Sequence, residues 1–183
     1  MKYKFLFTTV IFFAVGLISI AQTKKLEADK KDSFIKYKLT HPLHEVEATS
    51  KDAYCVIEAD VQNKEIKSVF VQVDVTSFDS GNSNRDSHAM EVIDALTYPA
   101  ATFKSSSISQ NGDNLDVSGK LTFHGITKEI IIPVKLTWSK DKLVTEGSFD
   151  ISLTEFHIER PSLLMIPVKD KLEFTLSQTF NLE

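Results

Sequence analysis

Only one cysteine, Cys55, occurs in 183 residues. No internal disulfide can staple the chain, so it must rely on a hydrophobic core. Positive charge is not in excess: 21 Lys and Arg face 25 Asp and Glu, a net charge of −4. That balance excludes the basic stripe on which nucleic-acid binding depends. The six glycines are scattered, and none belongs to a phosphate-cradling loop. No serine or cysteine nucleophile signature accompanies a base, so no catalytic residue is assigned.

Long apolar runs are missing too, with one exception at the start. Lys2 and Lys4 precede "FLFTTVIFFAVGLISI" (residues 5–20), and Ser19-Ile20-Ala21 carries small residues suited to cleavage before Gln22. This is the pattern of a secretory signal over residues 1–21. The run is short for a retained membrane helix of about twenty residues, so no stable membrane span is expected once the signal is removed. Its loss takes Lys2 and Lys4 away and moves the charge from −4 to −6. Residues 22–183 then form one domain, exported to the periplasm or the extracellular space, large enough for a single core.

What fills that domain is period-two alternation. Val69, Val71, Val73 and Val75 share one face, as do Leu115, Val117, Leu121 and Phe123. Ile130, Ile132, Val134, Leu136 and Trp138 continue the pattern, followed by Phe149, Ile151 and Leu153, and by Leu172, Phe174, Leu176 and Phe180. Ile35, Tyr37 and Leu39 do the same near the beginning, and "AYCVIEADV" and "ATFKSSSIS" add two weaker segments. "NGDN" (111–114), Gly125 and "SKDK" (139–142) mark turns between runs. The expectation is an all-β fold, an antiparallel barrel or sandwich of about eight strands. A single segment departs from alternation. "RDSHAMEVIDALTYP" after Gly81 predicts a short helix with Asp86 or Ser87 as N-cap, with Met90, Ile93 and Leu96 on one face, capping an end of the strands.

The stretch "SFDSGNSNRDSHAMEVIDAL" (77–96) gathers Asp79, Arg85, Asp86, His88 and Glu91. Asp86 and His88 could orient a general base, but a turn held by polar groups is the simpler reading, with Asp86 well placed near a helix N-terminus. His41 and His44 lack an acidic or cysteine companion for a tetrahedral site, and His88, His124 and His157 stand singly. No metal and no cofactor are assigned. Cys55 reads as a small buried hydrophobe.

"SFDSGNSNRDSHAMEVIDALTYPAATFKSSSI" followed by "GKLTFHGITKEIIIPV" resembles the YceI-like family of exported lipid-binding proteins. The resemblance rests on Ser77, Phe78, Asp79, Arg85, Asp86, His88, Tyr98, Pro99, Thr102, Phe103, Gly119, Leu121, Thr122, Gly125, Thr127 and Lys128, and spans roughly residues 33–182. It implies a lipocalin-like antiparallel β-barrel with an elongated apolar cavity, capped at one end by the short helix. It further implies that Arg85, Asp86 and His88 fasten that cap. Toward the C-terminus the chain departs from the family pattern: Glu155 keeps an acidic position, but His157 stands where a glycine is common.

From alternation and this resemblance together, the expected apolar lining is Val71, Val73, Phe103, Leu121, Phe123, Ile132, Leu136, Trp138, Phe149, Ile151 and Phe174. Arg85 is the candidate for a phosphate head group, because guanidinium matches phosphate geometry. The expected partner is an amphiphile with an isoprenoid or fatty-acyl tail, not nucleic acid, and a homodimer stays open. The alternative is an exported stress-response or accessory protein with a filled barrel. It would act on a protein partner through charges such as Lys120, Lys128, Glu129 and Lys135.

Overall fold

The computed structural model describes residues 23–183; the signal segment expected over residues 1–21 lies outside them. Twelve strands are formed: β1 (Thr23–Glu27), β2 (Phe34–His41), β3 (His44–Ser50), β4 (Tyr54–Asp60), β5 (Glu65–Asp74), β6 (Ala100–Asn111), β7 (Asn114–Phe123), β8 (Ile126–Trp138), β9 (Lys142–Ile151), β10 (Ser162–Leu163), β11 (Ile166–Pro167) and β12 (Leu172–Asn181). One helix, α1 (Ser83–Val92), lies between β5 and β6. Ten strands make one curled antiparallel sheet in the order β1-β4-β5-β6-β7-β8-β9-β12-β2-β3, and β10 and β11 form a separate small hairpin. The all-β, lipocalin-like expectation holds, with ten strands in the sheet instead of about eight.

The sheet curls into a half-barrel whose seam is bridged at two places, Ala28 with Phe180 and Thr49 with Asp79. Alternation along each strand sends one row of side chains inward. In β7 the buried row is Leu115, Val117, Gly119, Leu121 and Phe123. These meet the inward rows of β8, β9 and β12 in the main core, beside a smaller cluster of Ile35, Ala53 and Val73. The turns fall where the sequence marks them. Asn111 pairs with Asn114 around Gly112, and Phe123 pairs with Ile126 around His124 and Gly125. Both His124 and Gly125 have positive φ, as a two-residue hairpin of the primed type requires.

Gly125 has a second reason to lack a side chain. A Cβ there would sit 2.6 Å from the Tyr98 ring, and that ring packs edge-on against His124, with centroids 4.8 Å apart. Tyr98 and Gly125 are thus one packing unit drawn from distant parts of the motif. His157, at the position where a glycine is common, adopts φ of 55°. The backbone demand that favours glycine is therefore still present here.

The helix begins earlier than expected. Its N-cap is Asn82, whose Oδ1 accepts from the Arg85 N–H at 3.2 Å, and not Asp86 or Ser87. Asn82 folds its short side chain back on the first turn, while the Asp86 carboxylate is taken up by the Ser80 N–H and hydroxyl. Asp86 falls inside that turn, where the helix dipole still favours it. Met90 and Ile93 pack against the core. Leu96 instead lies beyond the helix, completely exposed, because the chain turns at Asp94 with positive φ before the helical face can reach it.

Candidate functional site: an apolar cavity under the helix

Strand registers define two ends of the half-barrel. One carries the His41–His44 turn, α1, the His124-Gly125 turn and the β10–β11 hairpin; the other carries the turns after Asp60, Asn111 and Trp138. Beneath the first end lies a cavity of about 430 Å³, within the ordinary range for a small-molecule site. Its wall is overwhelmingly apolar. Of the expected lining residues, Val71, Val73, Phe103, Leu121, Phe123, Ile132, Phe149, Ile151 and Phe174 border it, and Arg85 stands at its rim. Phe149 and Phe174 face each other across the β9–β12 pair as stacked rings 5.0 Å apart.

Two expected residues are elsewhere. Leu136 borders a second, smaller cavity of about 60 Å³ further in. Trp138, at the far end of β8, borders neither cavity. Alternation places it correctly on the inward face, but β8 is long enough to run past both spaces. Its indole N–H is buried without a partner.

Sequence reasoning missed the wall supplied by β2 and by the covering segments. Ile35, Tyr37 and Leu39 of β2, Phe78 before the helix, Met90 and Ile93 around it, and Leu163 of the hairpin all border the main cavity. The β2 row was visible as alternation; its position facing the cavity depends on β2 pairing with β12, a contact far apart in sequence. Burial raises the pKa of the Tyr37 phenol, and the nearby charge of Asp86 adds to this.

The charged cluster holds the cap in place. Arg85 donates from Nε to the Ser80 hydroxyl at 2.9 Å and from Nη2 to the Ser80 carbonyl at 2.6 Å. Asp86 accepts from the Ser80 N–H at 3.2 Å and from its hydroxyl. Asp79 exchanges backbone hydrogen bonds with Thr49 of β3, so the loop is stitched to the sheet seam. His88 takes no part in this: its side chain is 65% exposed, with Glu91 3.8 Å away. Arg85 and Asp86 fasten the cap as expected, and His88 does not.

His41 is buried and has a structural task. Its Nδ1 accepts from the Leu43 N–H at 3.1 Å, while Nε2 lies 2.8 Å from the Ile166 carbonyl of the hairpin. The first bond leaves Nε2 as the donor. Arg160, just before β10, ties the two ends of the hairpin together by donating to the Val168 carbonyl after β11. Beyond this base the hairpin turns at Leu164 and Met165, both with positive φ and both exposed beside the mouth. Among the described residues no three His, Cys, Asp or Glu side chains gather as metal ligands. The Cys55 thiol is pushed up to about 12 by burial, which removes the thiolate a nucleophile would need.

A family model described as YceI-like domain matches residues 26–180. The chain belongs to the YceI-like family. The proteins named YceI from Escherichia coli O17:K52:H18 and from Salmonella newport are each 28% identical to it, covering 81% of this chain and 82% of theirs. Among solved structures, Burkholderia cenocepacia BcnA shares the fold with a TM-score of 0.76 at 24% identity, over 83% of this chain and 98% of that one. A polyisoprenoid binding domain from Saccharophagus degradans, implicated in plant cell wall breakdown, superposes with a TM-score of 0.66 at 12% identity, over 85% of this chain and 97% of that one. The Campylobacter jejuni YceI protein gives 0.65 at 20% identity, over 100% and 99%. This YceI-like chain thus has the family fold over nearly all of its described residues.

Proposed function

We propose that this YceI-like protein is an exported carrier that sequesters an amphiphile with a long isoprenoid or acyl tail, binding it without chemical change. The observation that carries this reading is the main cavity: about 430 Å³ walled by inward aliphatic and aromatic rows from most of the sheet and roofed by α1. The polyisoprenoid-binding relative from Saccharophagus degradans supports the choice of ligand class, and the signal-like residues 1–21 support export.

The driving force is removal of the tail from water. Each buried CH₂ contributes about 0.8 kcal/mol, so a tail of about fifteen carbons has about 12 kcal/mol available. Ordering the tail and losing its free motion offset roughly half of that or more. About 6 kcal/mol or less then remains, tens of micromolar at best, so micromolar binding needs a polar contact beside the tail. Arg85 stands at the rim with its guanidinium committed on one side to Ser80. Its remaining N–H groups are the donors for a phosphate or carboxylate head at the mouth.

The test is native mass spectrometry of the domain from Gln22, purified from its own host, followed by organic extraction. A stoichiometric adduct released as a single amphiphile is the expected result. A bare mass with no uptake of added isoprenoid or fatty-acyl compounds refutes the carrier reading and favours action through a protein partner.

A further inference from the structure

The second cavity is separated from the first by a shared partition of Ile35, Val71, Phe103, Ile132 and Leu176, which border both. Beyond the partition the wall changes character at one place. The inward row of β12 runs Leu172, Phe174, Leu176, Gln178, Phe180, and the row of β9 opposite it has Thr145 paired with Gln178. A carboxamide and a hydroxyl thus interrupt otherwise apolar rows, and both side chains border the inner chamber.

Gln178 is only 3% exposed. Its amide nitrogen donates to the Phe34 carbonyl at 3.0 Å, which fixes the orientation of the group. Its Oε1 is buried and accepts from nothing. The Thr145 hydroxyl spends its proton on the Gln178 backbone carbonyl at 3.4 Å, so it too offers only lone pairs. A buried acceptor without a donor is costly, and native proteins rarely leave one.

We propose that the inner chamber is a subsite for a single neutral O–H donor at the buried end of an otherwise apolar ligand, with Gln178 Oε1 as its acceptor. This rests on the carrier reading above. At about 60 Å³ the chamber holds a chain terminus or a water molecule, but not a ring or a phosphate. It is lined by no cationic side chain, and a charged head would be stranded there without compensation. The charged head therefore stays at the mouth, by Arg85, and the far end of the tail reaches Gln178. A tail ending in a methyl group must either stop at the Phe103 partition or leave the carboxamide unpaired. A tail ending in a hydroxyl satisfies it. The same acceptor would also be served by a trapped water, and the two sources predict different ligand preferences.

The experiment measures dissociation constants for saturated fatty acids from lauric to behenic acid and for their ω-hydroxy counterparts. It uses wild type, Gln178→Leu and Thr145→Val. For wild type, the ω-hydroxy acids long enough to pass the partition should bind roughly five- to a hundredfold tighter than the plain acids of equal length, the factor set by one buried hydrogen bond. For the short acids the order should reverse, because their hydroxyl lies against apolar wall. Gln178→Leu should abolish the long-chain advantage and improve binding of the long plain acids. Thr145→Val, which leaves the Gln178 amide anchored on Phe34, should reduce it. The wild-type comparison stands alone if Gln178→Leu does not fold. Equal ranking of plain and hydroxylated acids at every length would overturn the subsite while leaving the carrier intact, and would assign the acceptor to a trapped water. Failure of every acid and of added isoprenols to bind would instead remove the carrier reading itself.

Discussion

Position 119 offers a sharp test of how tightly β6 and β7 are packed beside the cavity. Gly119 lies on the inward row of β7, and its φ is not in the left-handed region, so alanine meets no backbone strain there. Space is the obstacle. A Cβ at this position would sit 2.5 Å from the Lys104 carbonyl oxygen and 2.6 and 2.8 Å from Cζ and Cε2 of Phe103. Ordinary carbon–oxygen contacts lie at about 3.3–3.6 Å, so strand or ring must yield by roughly 0.8 Å. Lys104 pairs with Lys120 next to a register shift between Ser105 and Ser107, and its carbonyl cannot retreat without disturbing that ladder. The Phe103 ring can move only into the cavity it borders.

Overpacking of this kind costs about 1–3 kcal/mol, against which the lower chain entropy of alanine returns about 0.5–1 kcal/mol. Gly119→Ala should therefore lose about 1–2 kcal/mol of stability. In urea titrations this reads as a lower midpoint with an unchanged slope. The variant should also weaken binding of long tails more than short ones, because the displaced ring closes the partition. An unchanged or raised midpoint would refute the packing argument, since it would mean that β6 and β7 have room the structure does not give them.

Other expectations follow from the local chemistry. The Asp60 carboxyl is held below the usual range first by the Asn63 backbone N–H, then by the Asn63 side-chain amide and the Gln62 N–H. Its stabilisation is complete above its unfolded pKa of about 3.9 and lost as pH falls through the lower folded value. Asp60→Asn should flatten the acid limb of a stability–pH curve below about pH 4, and an unaltered limb would contradict the assignment. Leu164 and Met165 occupy a two-residue turn with positive φ that suits Asn-Gly. Replacing the pair by Leu164→Asn with Met165→Gly should raise stability by about 1 kcal/mol, seen as slower amide exchange in the hairpin; faster exchange would count against it. Cys55, with its thiol pushed up to about 12 and its side chain buried, should resist alkylation at mildly alkaline pH until the protein unfolds. Rapid stoichiometric labelling of native protein would show that β4 opens locally.

Much of the fold was legible residue by residue. Alternation identifies a strand and the face it buries, because successive side chains must point to opposite sides. Asn111–Asn114 and His124-Gly125 announce turns because their backbone conformations are costly for most other residues. These are local constraints, and local sequence carries them. The N-cap at Asn82 is also local, but Asn82 and Asp86 are both acceptable caps by residue type, and only the structure shows the Asp86 carboxylate taken up by Ser80.

The cavity is a different kind of property. Val71 and Trp138 read alike as inward residues, yet one borders the cavity and the other lies half-buried beyond it. Only the pairing of β12 between β9 and β2, strands far apart in the chain, decides which inward rows face one another and where they fail to meet. The orphaned oxygen of Gln178 belongs to the same class. Its polar residue type stood openly in the Leu172–Phe180 row, but that it lacks a partner is a fact about every neighbour at once. The sequence by itself determined strands, faces, turns and family, because each depends on a few adjacent residues. Tertiary structure alone decided the empty space, because a vacancy is set by the closure of the whole sheet and by no single residue in it.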